Sequence, residues 1–183
     1  MLAFVFTDAA VPAAELVPIF RRVVARTFNS LSVDTDTSTS DTAAVLANGA
    51  AGAVDLAELE TALGRVCLGL TRQLAADGEG ATKLLVVRVT GARDDDQAKR
   101  VAKAIVNSPL VKTAVHGADP NWGRVAMAVG KCSDDTDIDQ ERVAIRFGDV
   151  QVYPDGDEGD LAALEEYLRG GEVHIGVDLG IAD

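Results

Sequence analysis

The chain has 183 residues, of which 48% are hydrophobic, and a formal net charge of −12. This length and apolar content are enough to bury the core of one domain, whereas the negative charge disfavours binding to nucleic acid phosphates or anionic membranes. The sequence has no run of about 18 apolar residues and no basic N-terminal segment, so we expect neither a transmembrane span nor a signal peptide, and a cytoplasmic location.

The N-terminal part of the chain alternates between strand and helix patterns. Leu16, Phe20 and Val23 lie at helical spacing, and Pro18 is expected to move the start of that helix to a later residue. Asp55 is a candidate N-cap for a second helix. The predicted elements are, in order, a strand over 2–7, the first helix, a polar loop over 32–42, a short buried strand over 43–47, and a helix that follows Asp55 and runs to Ala76.

The C-terminal part continues the alternation and ends in a strand. The predicted elements are a strand over 84–90, a helix over 95–107, a strand over 110–115, a turn over 119–123, a helix or strand over 124–129, a hairpin of 143–147 with 150–153, a helix over 161–168 and a strand over 173–179. This pattern predicts an α/β layered fold, formed as a single domain over residues 1–183.

Histidine and cysteine residues are too sparse and too scattered to predict a metal site. Cys67 and Cys132 lack CxxC spacing, which favours free thiols over metal ligands or a disulfide. No carboxylate or cysteine stands at ligand spacing around His116 or His174. We therefore expect no metal and no cofactor.

A polar turn of unusual composition, DPNWGR at residues 119–124, lies between two apolar segments. Its proline favours extended geometry at Asp119, and its glycine permits a sharp bend or a close backbone approach. The polar side chains suit either a binding site or a tightly specified corner. The structural interpretation is favoured: an ion pair of Asp119 with Arg124 would hold the turn, Asn121 would cap a following helix, and Trp122 would pack.

Two other segments carry polar groups in positions that suit a site. The run SVDTDTSTSDT at residues 32–42 is interpreted as a polar loop with Asx and Ser/Thr turns, although it lies between a helix and an apolar strand, where α/β folds place functional loops. In ADGEGATK, residues 76–83, Glu79 stands between two glycines just before a strand. Glu79 is either a solvated residue at a helix stop or a carboxylate placed to bind an amine.

In their order and spacing along the chain, these three segments resemble the bifunctional ornithine acetyltransferase (glutamate N-acetyltransferase) family. The shorter matches FTDAA, RTFN and GVDLG extend the resemblance along nearly the whole chain. The resemblance implies an α/β fold of layered helices and mixed sheets, related to aminopeptidases that undergo N-terminal-nucleophile processing. It also implies a precursor that cleaves itself before a threonine. This chain resembles the C-terminal (beta) chain of that precursor, completed by an alpha chain in a heterotetramer of two alpha and two beta chains.

By the same resemblance, the protein transfers the acetyl group of N2-acetylornithine to glutamate through an acyl-threonine, in arginine biosynthesis or a related pathway. The nucleophilic threonine is expected immediately before Met1, so this chain is expected to contain no catalytic residue, and the oxyanion donors are expected in the alpha chain. Glu79 matches the family carboxylate that contacts the substrate, and a carboxylate suits the cationic amine of ornithine. The residues expected to support the site are Asp41, Thr42, Asn121 and Arg124.

Three hypotheses remain open at the level of the residues. The first is the acetyltransferase beta chain; the second is an aminopeptidase or amidohydrolase with an N-terminal nucleophile, in which water receives the acyl group. The third is a noncatalytic subunit, if Met1 is a true start. Family members continue beyond the position of Asp183, where further substrate contacts are expected. The TSTSDT form at 37–42 resembles a paralogous branch found beside antibiotic-pathway genes, which leaves the substrate preference open.

Overall fold

The computed structural model describes residues 1–132, 134–154 and 161–182. The chain forms two compact units, Met1–Asp77 and Gly78–Asp183, each with a hydrophobic core of its own. Helices and mixed sheets make up both units together, which confirms the predicted α/β class. The expectation of a single domain stays a prediction.

The first unit is a parallel pair of strands covered on one face by two helices. Its elements are β1 (Leu2–Ala9), α1 (Ala13–Arg26), a 3₁₀ turn (Phe28–Ser30), β2 (Thr42–Gly52) and α2 (Leu56–Ala76). The predicted Asp55 cap is confirmed, because its Oδ1 accepts the backbone N–H groups of Ala57 and Glu58 at 2.8 and 2.9 Å. The end of α2 at Ala76 is also as predicted, whereas β2 extends five residues beyond the predicted 43–47.

The alternation of side chains along β1 determines which of its residues lie in the core of the first unit. Ala3 and Val5 point into the core, where they meet Leu16 and Phe20 of α1 and Leu63 of α2. The residues between them in β1 point away from this core and are exposed. The core is therefore built from one face of the strand pair only.

The prediction that Pro18 delays the start of the first helix is wrong. Helix α1 begins at Ala13 and contains Pro18 in its interior. Proline removes one helix hydrogen bond, to the carbonyl four residues earlier at Ala14. Both Pro18 and Ala14 are exposed, so water can hydrate that carbonyl, while the buried stripe from Leu16 to Val23 keeps the helix on the core.

The second unit is a mixed sheet with helices. Its strands lie in the order β3-β6-β4-β5, with β3 parallel to β6, and with β4 antiparallel to both β6 and β5. Its elements are β3 (Leu84–Thr90), α3 (Asp95–Val106), α4 (Pro109–His116), α5 (Trp122–Gly130), β4 (Ala144–Phe147), β5 (Val150–Tyr153), α6 (Leu161–Leu168) and β6 (Glu172–Asp178). The predicted hairpin, the last helix and the last strand are confirmed.

The predicted strand over 110–115 is wrong, because this segment forms helix α4. Ser108 is its N-cap and its Oγ accepts the backbone N–H of Val111 at 3.4 Å, while Pro109 occupies the first turn. Serine followed by proline is a helix-start signal. The buried side chains Val111, Ala114 and Val115 follow helical rather than alternating spacing.

The end of β3 is joined to the residues that follow β6. The carbonyl of Thr90 accepts the N–H of Leu179 at 2.9 Å, and the carbonyl of Gly91 accepts the N–H of Ile181 at 2.7 Å. Gly91 has a φ of +62°, and a Cβ there would overlap the carboxylate of Asp178. Only glycine suits this position.

A buried carboxylate, Asp135, ties helix α3 to the segment after α5. Arg100 binds it through both oxygens, with Nη2 to Oδ1 at 2.6 Å and Nε to Oδ2 at 3.1 Å, and Arg93 adds a contact at 3.2 Å. Gln97, itself fully buried, donates to Asp137 at 2.9 Å. The Arg100 hydrogen bond is the main cause that lowers the pKa of Asp135 below its ordinary value of 3.8.

We expect Asp135→Asn to lower the melting temperature at pH 7. A carboxylate with a lowered folded-state pKa stabilises the fold above its unfolded-state pKa, and this stabilisation is lost as the pH falls through the folded value. The difference from wild type should therefore shrink below about pH 4. Thermal melts followed by circular dichroism measure the difference in melting temperature.

Asp149→Asn, at an exposed position in the β4–β5 turn, is the control and should melt like wild type at every pH. A difference between Asp135→Asn and wild type that persists undiminished at pH 3 would show that the charge of Asp135 is not what stabilises the fold.

Candidate functional site

The hydroxyl-rich loop over 32–42 is held by its own side chains. Oδ1 of Asp34 accepts the backbone N–H groups of Thr35 and Asp36, both at 2.9 Å, and Oγ of Ser38 accepts the N–H of Ser40 at 3.1 Å. These are the Asx and Ser/Thr turns that the sequence predicts. The end of this loop leads directly into β2.

Asp41 and Thr42 lie beside the start of β1. Oδ1 of Asp41 accepts a hydrogen bond from the N-terminal ammonium of Met1, and the backbone N–H of Thr42 donates to the carbonyl of Met1 at 3.0 Å. The parallel register, in which Leu2 pairs with Thr42, accounts for both contacts. Two of the residues expected to support the site are thus adjacent to the point where the threonine is expected.

Glu79 stands on a tight turn between α2 and β3. The turn closes through a hydrogen bond of 2.8 Å from the N–H of Ala81 to the carbonyl of Gly78, and Gly80 adopts a φ of +71°. Within the described part of the chain, the exposed carboxylate of Glu79 forms no hydrogen bond or ion pair.

Contacts to two helix ends hold the segment that follows Glu79. The ammonium of Lys83 donates to the carbonyl of Val115 at 2.8 Å and to that of Leu168 at 2.5 Å, at the C-terminal ends of α4 and α6. A cation is favoured there because the last carbonyls of a helix lack partners and carry partial negative charge. The hydroxyl of Thr82 adds a hydrogen bond of 3.0 Å to Nδ1 of His116.

The DPNWGR turn is a corner that joins α4 to α5. Asn121 caps α5, with Oδ1 accepting the N–H of Arg124 at 3.3 Å, as predicted. The expected ion pair of Asp119 with Arg124 is wrong: Nη1 of Arg124 donates to the carbonyl of Leu110 and to Oγ1 of Thr113, both at 2.9 Å. Arginine, with donors in a fixed fork, is suited to binding two acceptors on α4 at once.

Trp122 packs, as the structural interpretation predicts, and its partner is Tyr153 of β5. The two rings stack with centroids 4.8 Å apart and planes inclined by 28°. The indole remains 40% exposed. The corner therefore presents an aromatic surface. The hydrogen bonds of Asn121 and Arg124 mainly stabilise the backbone of this corner.

The sequence did not identify Lys83, Thr82 and Tyr153 as parts of this region. The sequence feature that could have drawn attention to Lys83 is its position directly before an apolar strand. Its partners are 32 and 85 residues away along the chain, so sequence spacing could not identify them.

Neither a metal cluster nor a membrane span occurs among residues 1–132, 134–154 and 161–182. These residues contain no group of three or more His, Cys, Asp or Glu side chains that could hold a metal ion. None of the helices formed by these residues has both the length and the apolar character needed to cross a membrane.

We expect Asn121→Ala to lower the free energy of unfolding by about 1 kcal/mol, because the first turn of α5 loses its side-chain cap. Asn121→Asp keeps an acceptor oxygen at the same place and should unfold close to wild type. Urea titration of the three proteins measures both effects. Equal losses in the two variants would show that the cap is not what Asn121 contributes.

Comparison with known proteins extends the resemblance to the full chain. A family model described as the ArgJ family matches residues 1–183. Glutamate N-acetyltransferase Oat2 of Streptomyces clavuligerus is 65% identical over 189 aligned residues, which cover 100% of this chain and 48% of that relative. The arginine biosynthesis bifunctional protein ArgJ of Rhodococcoides fascians is 57% identical, with 99% of this chain and 46% of the relative covered.

A solved structure has the same fold. The crystal structure of the arginine biosynthesis bifunctional protein ArgJ from Bacillus halodurans is 39% identical in sequence and matches with a TM-score of 0.94, covering 100% of this chain and 90% of that chain. The chain spans about half the length of the curated relatives it matches. Because the family model matches residues 1–183 and a named relative is 65% identical over this whole chain, the chain belongs to the ArgJ family.

Proposed function

We propose that this chain is the C-terminal part of a two-chain glutamate N-acetyltransferase, which moves the acetyl group of N2-acetylornithine to glutamate. The observation that carries the proposal is the 65% identity, over the whole of this chain, to a relative named glutamate N-acetyltransferase. The reaction serves arginine biosynthesis or a related pathway, in keeping with the names of the other relatives.

The proposed nucleophile is a threonine that precedes Met1. Its hydroxyl oxygen attacks the acetyl carbonyl while its own α-amine, with an ordinary pKa near 8, takes the hydroxyl proton. The carbon–nitrogen bond then breaks, the leaving amine of ornithine receives that proton, and the acetyl group stays on the threonine. In the second half of the cycle the amine of glutamate attacks the acetyl ester, the ester carbon–oxygen bond breaks, the α-amine passes the proton lost by glutamate to the threonine oxygen, and N-acetylglutamate leaves. The donors that stabilise the oxyanion belong, in this proposal, to the other chain.

Asp41 and Thr42 support this arrangement by fixing the start of β1. The backbone N–H of Thr42 donates to the carbonyl of Met1, which holds the strand in register at its first residue. With a threonine before Met1, the nitrogen that Asp41 contacts would be an amide N–H, which can still donate to the Asp41 carboxylate. A nucleophile must be held within a fraction of an ångström of its productive position. We therefore assign Asp41 and Thr42 as positioning residues, with no role in proton transfer.

Glu79 is proposed to bind the side-chain amine of the ornithine moiety. Its carboxylate is exposed and lacks a partner among the described residues, and the Lys83 contacts hold the segment after it. A charged hydrogen bond between a carboxylate and an ammonium is stronger than a neutral one. Asn121 and Arg124 support the neighbouring corner rather than the chemistry.

The remaining half of the relatives' length is proposed to supply an alpha chain, in a heterotetramer of two alpha and two beta chains. We place the enzyme in the cytoplasm, a reducing compartment that suits the two free cysteines of the chain. Burial raises the pKa of the Cys67 thiol, so Cys67 is a core residue rather than a nucleophile.

We expect Glu79→Gln to raise the KM for N2-acetylornithine by roughly 10- to 100-fold, because one charged hydrogen bond to the substrate is lost. The melting temperature should not change. Steady-state kinetics on the two-chain protein measures the effect. Glu141→Gln, at another exposed glutamate of the same unit, is the control and should leave the KM unchanged; equal KM values for Glu79→Gln and wild type would remove Glu79 from the site.

A transfer assay tests the function itself. The two-chain protein is incubated with N2-acetylornithine carrying an isotope-labelled acetyl group, with and without glutamate. Label that accumulates on glutamate supports the proposal. Label released as acetate at the same rate without glutamate would indicate a hydrolase, and no release of label would indicate a noncatalytic subunit; both results overturn the proposal.

A further inference from the structure

One face of the four-stranded sheet in the second unit packs into the core, and the other face points away from it. Along strand β6, the buried residues Val173, Ile175 and Val177 belong to the inner face. The residues that alternate with them form the outer face of this strand. They are Glu172, His174, Gly176 and Asp178.

A row of three paired residues crosses the outer face. Gly176 of β6 pairs with Arg88 of β3 on one side and with Arg146 of β4 on the other. Residues that pair on neighbouring strands point to the same face, and both arginines are exposed. Neighbouring strands are about 4.8 Å apart, which places the backbones of the two arginines about 10 Å apart. We call these three residues the arginine row.

The positive charges of the arginine row are not neutralised by the residues that the structure describes. Arg88 forms no hydrogen bond or ion pair among them. Nη2 of Arg146 donates to Oε1 of Gln151 at 3.4 Å, which is a weak contact to a neutral group. Like charges on one face repel each other, so an anion between the two guanidinium groups is favoured.

The carboxylates of β6 on the same face have other partners. Oε1 of Glu172 contacts Nε2 of His174 at 2.7 Å, and Oδ1 of Asp178 accepts the backbone N–H of Gly180 at 2.9 Å. Neither carboxylate forms an ion pair with the arginine row in the described part of the chain. The described residues therefore supply no counter-charge to the row.

Gly176 keeps the space between the two arginines open. The backbone does not require glycine here, because Gly176 is not among the residues with a positive φ. Space does not require it either, since a Cβ at this position would meet the Cβ of Arg146 at 3.7 Å, an ordinary contact. A glycine in the interior of a strand weakens it and often marks a place where a ligand approaches closely. An occupant of this gap would account for the glycine.

We propose that the arginine row binds a small oxyanion with at least two charged oxygens, either a phosphate group or a dicarboxylate. Each guanidinium presents parallel N–H donors that match the oxygens of such a group. One anion between Arg88 and Arg146 also removes the repulsion between them. The net charge of the chain is −12, so its overall field does not attract anions, and binding depends on these two side chains.

Calorimetric titration of the intact two-chain protein tests the proposal. Inorganic phosphate and glutarate are the two probes, and sodium chloride at the same ionic strength is the control for charge alone. We expect at least one probe to bind with one site per copy of this chain, more tightly than chloride. Tighter binding of phosphate identifies a phosphate group as the ligand, and tighter binding of glutarate identifies a dicarboxylate. If neither probe binds more tightly than chloride, the proposal is overturned.

Substitution of each arginine locates the bound anion. We expect Arg88→Gln and Arg146→Gln each to weaken binding roughly 10-fold or more, because charged hydrogen bonds to the anion are lost. Arg169→Gln, at an exposed arginine of α6 that is already paired with Glu165 and Glu166, is the control and should bind like wild type. Wild-type affinity in both Arg88→Gln and Arg146→Gln would place the anion elsewhere and overturn the proposal.

Gly176→Val separates the binding site from the stability of the strand. Valine fills the gap between the arginines, so we expect binding of the anion to be lost. The melting temperature should not fall, because valine is favoured in strands. Wild-type affinity in Gly176→Val would overturn the proposal; if this variant does not fold, the arginine substitutions decide.

The titration does not depend on acetyl transfer, so the two proposals can fail separately. Anion binding to the arginine row without acetyl transfer contradicts the proposed function alone. Acetyl transfer without anion binding contradicts the arginine row alone.

Discussion

The in-register parallel pairing of β1 with β2 is the constraint on which the first unit depends. It places Thr42 opposite Leu2, and this register brings Asp41 to the backbone of Met1. The same register sorts the strand residues into an inner face that meets α1 and α2 and an outer face that includes Phe4. A slip of one residue would turn every one of these side chains to the opposite face. One pairing thus sets the core, the start of the chain and the exposed apolar surface.

In the second unit, the ammonium group of Lys83 holds several elements together. Lys83 stands at the start of β3 and contacts the last turns of α4 and α6, so one side chain joins three elements. The turn that presents Glu79 comes just before it, and the DPNWGR corner follows the α4 end that it caps. The carboxylate proposed to bind substrate is therefore presented from a well-anchored part of the unit.

Much of the fold could be predicted because its signals are local. Alternation in β1, the Asp55 cap and the glycine-centred turn between β4 and β5 depend on neighbours within a few residues. The strand prediction for segment 110–115 is wrong because a short apolar run fits both periods, and the helix-start signal at Ser108 decides between them. The prediction at Pro18 is wrong because the packing of one helix face outweighs a local preference.

The same contrast between local signals and long-range contacts holds for the residues of the candidate site. The cap at Asn121 is local, and the sequence predicts it correctly. The predicted partner of Arg124 is wrong because a flexible arginine can reach several acceptors, and the fold brings Leu110 and Thr113 closer than the sequence could indicate. The stacking of Trp122 depends on a pairing across the unit. The role expected of Glu79 comes from family resemblance rather than from local physics, and it stays a prediction.

In the proposed mechanism, an acetyl group passes through a residue at the N-terminal end of this chain in the mature enzyme. The most direct measurement is the intact mass of both chains after brief mixing with N2-acetylornithine in the absence of glutamate, followed by peptide mapping. We expect an added acetyl group on the peptide that contains Met1, located on a threonine before it, and its loss when glutamate is added. An acetyl group located elsewhere, or no acetylated chain during active turnover, would overturn the proposed mechanism.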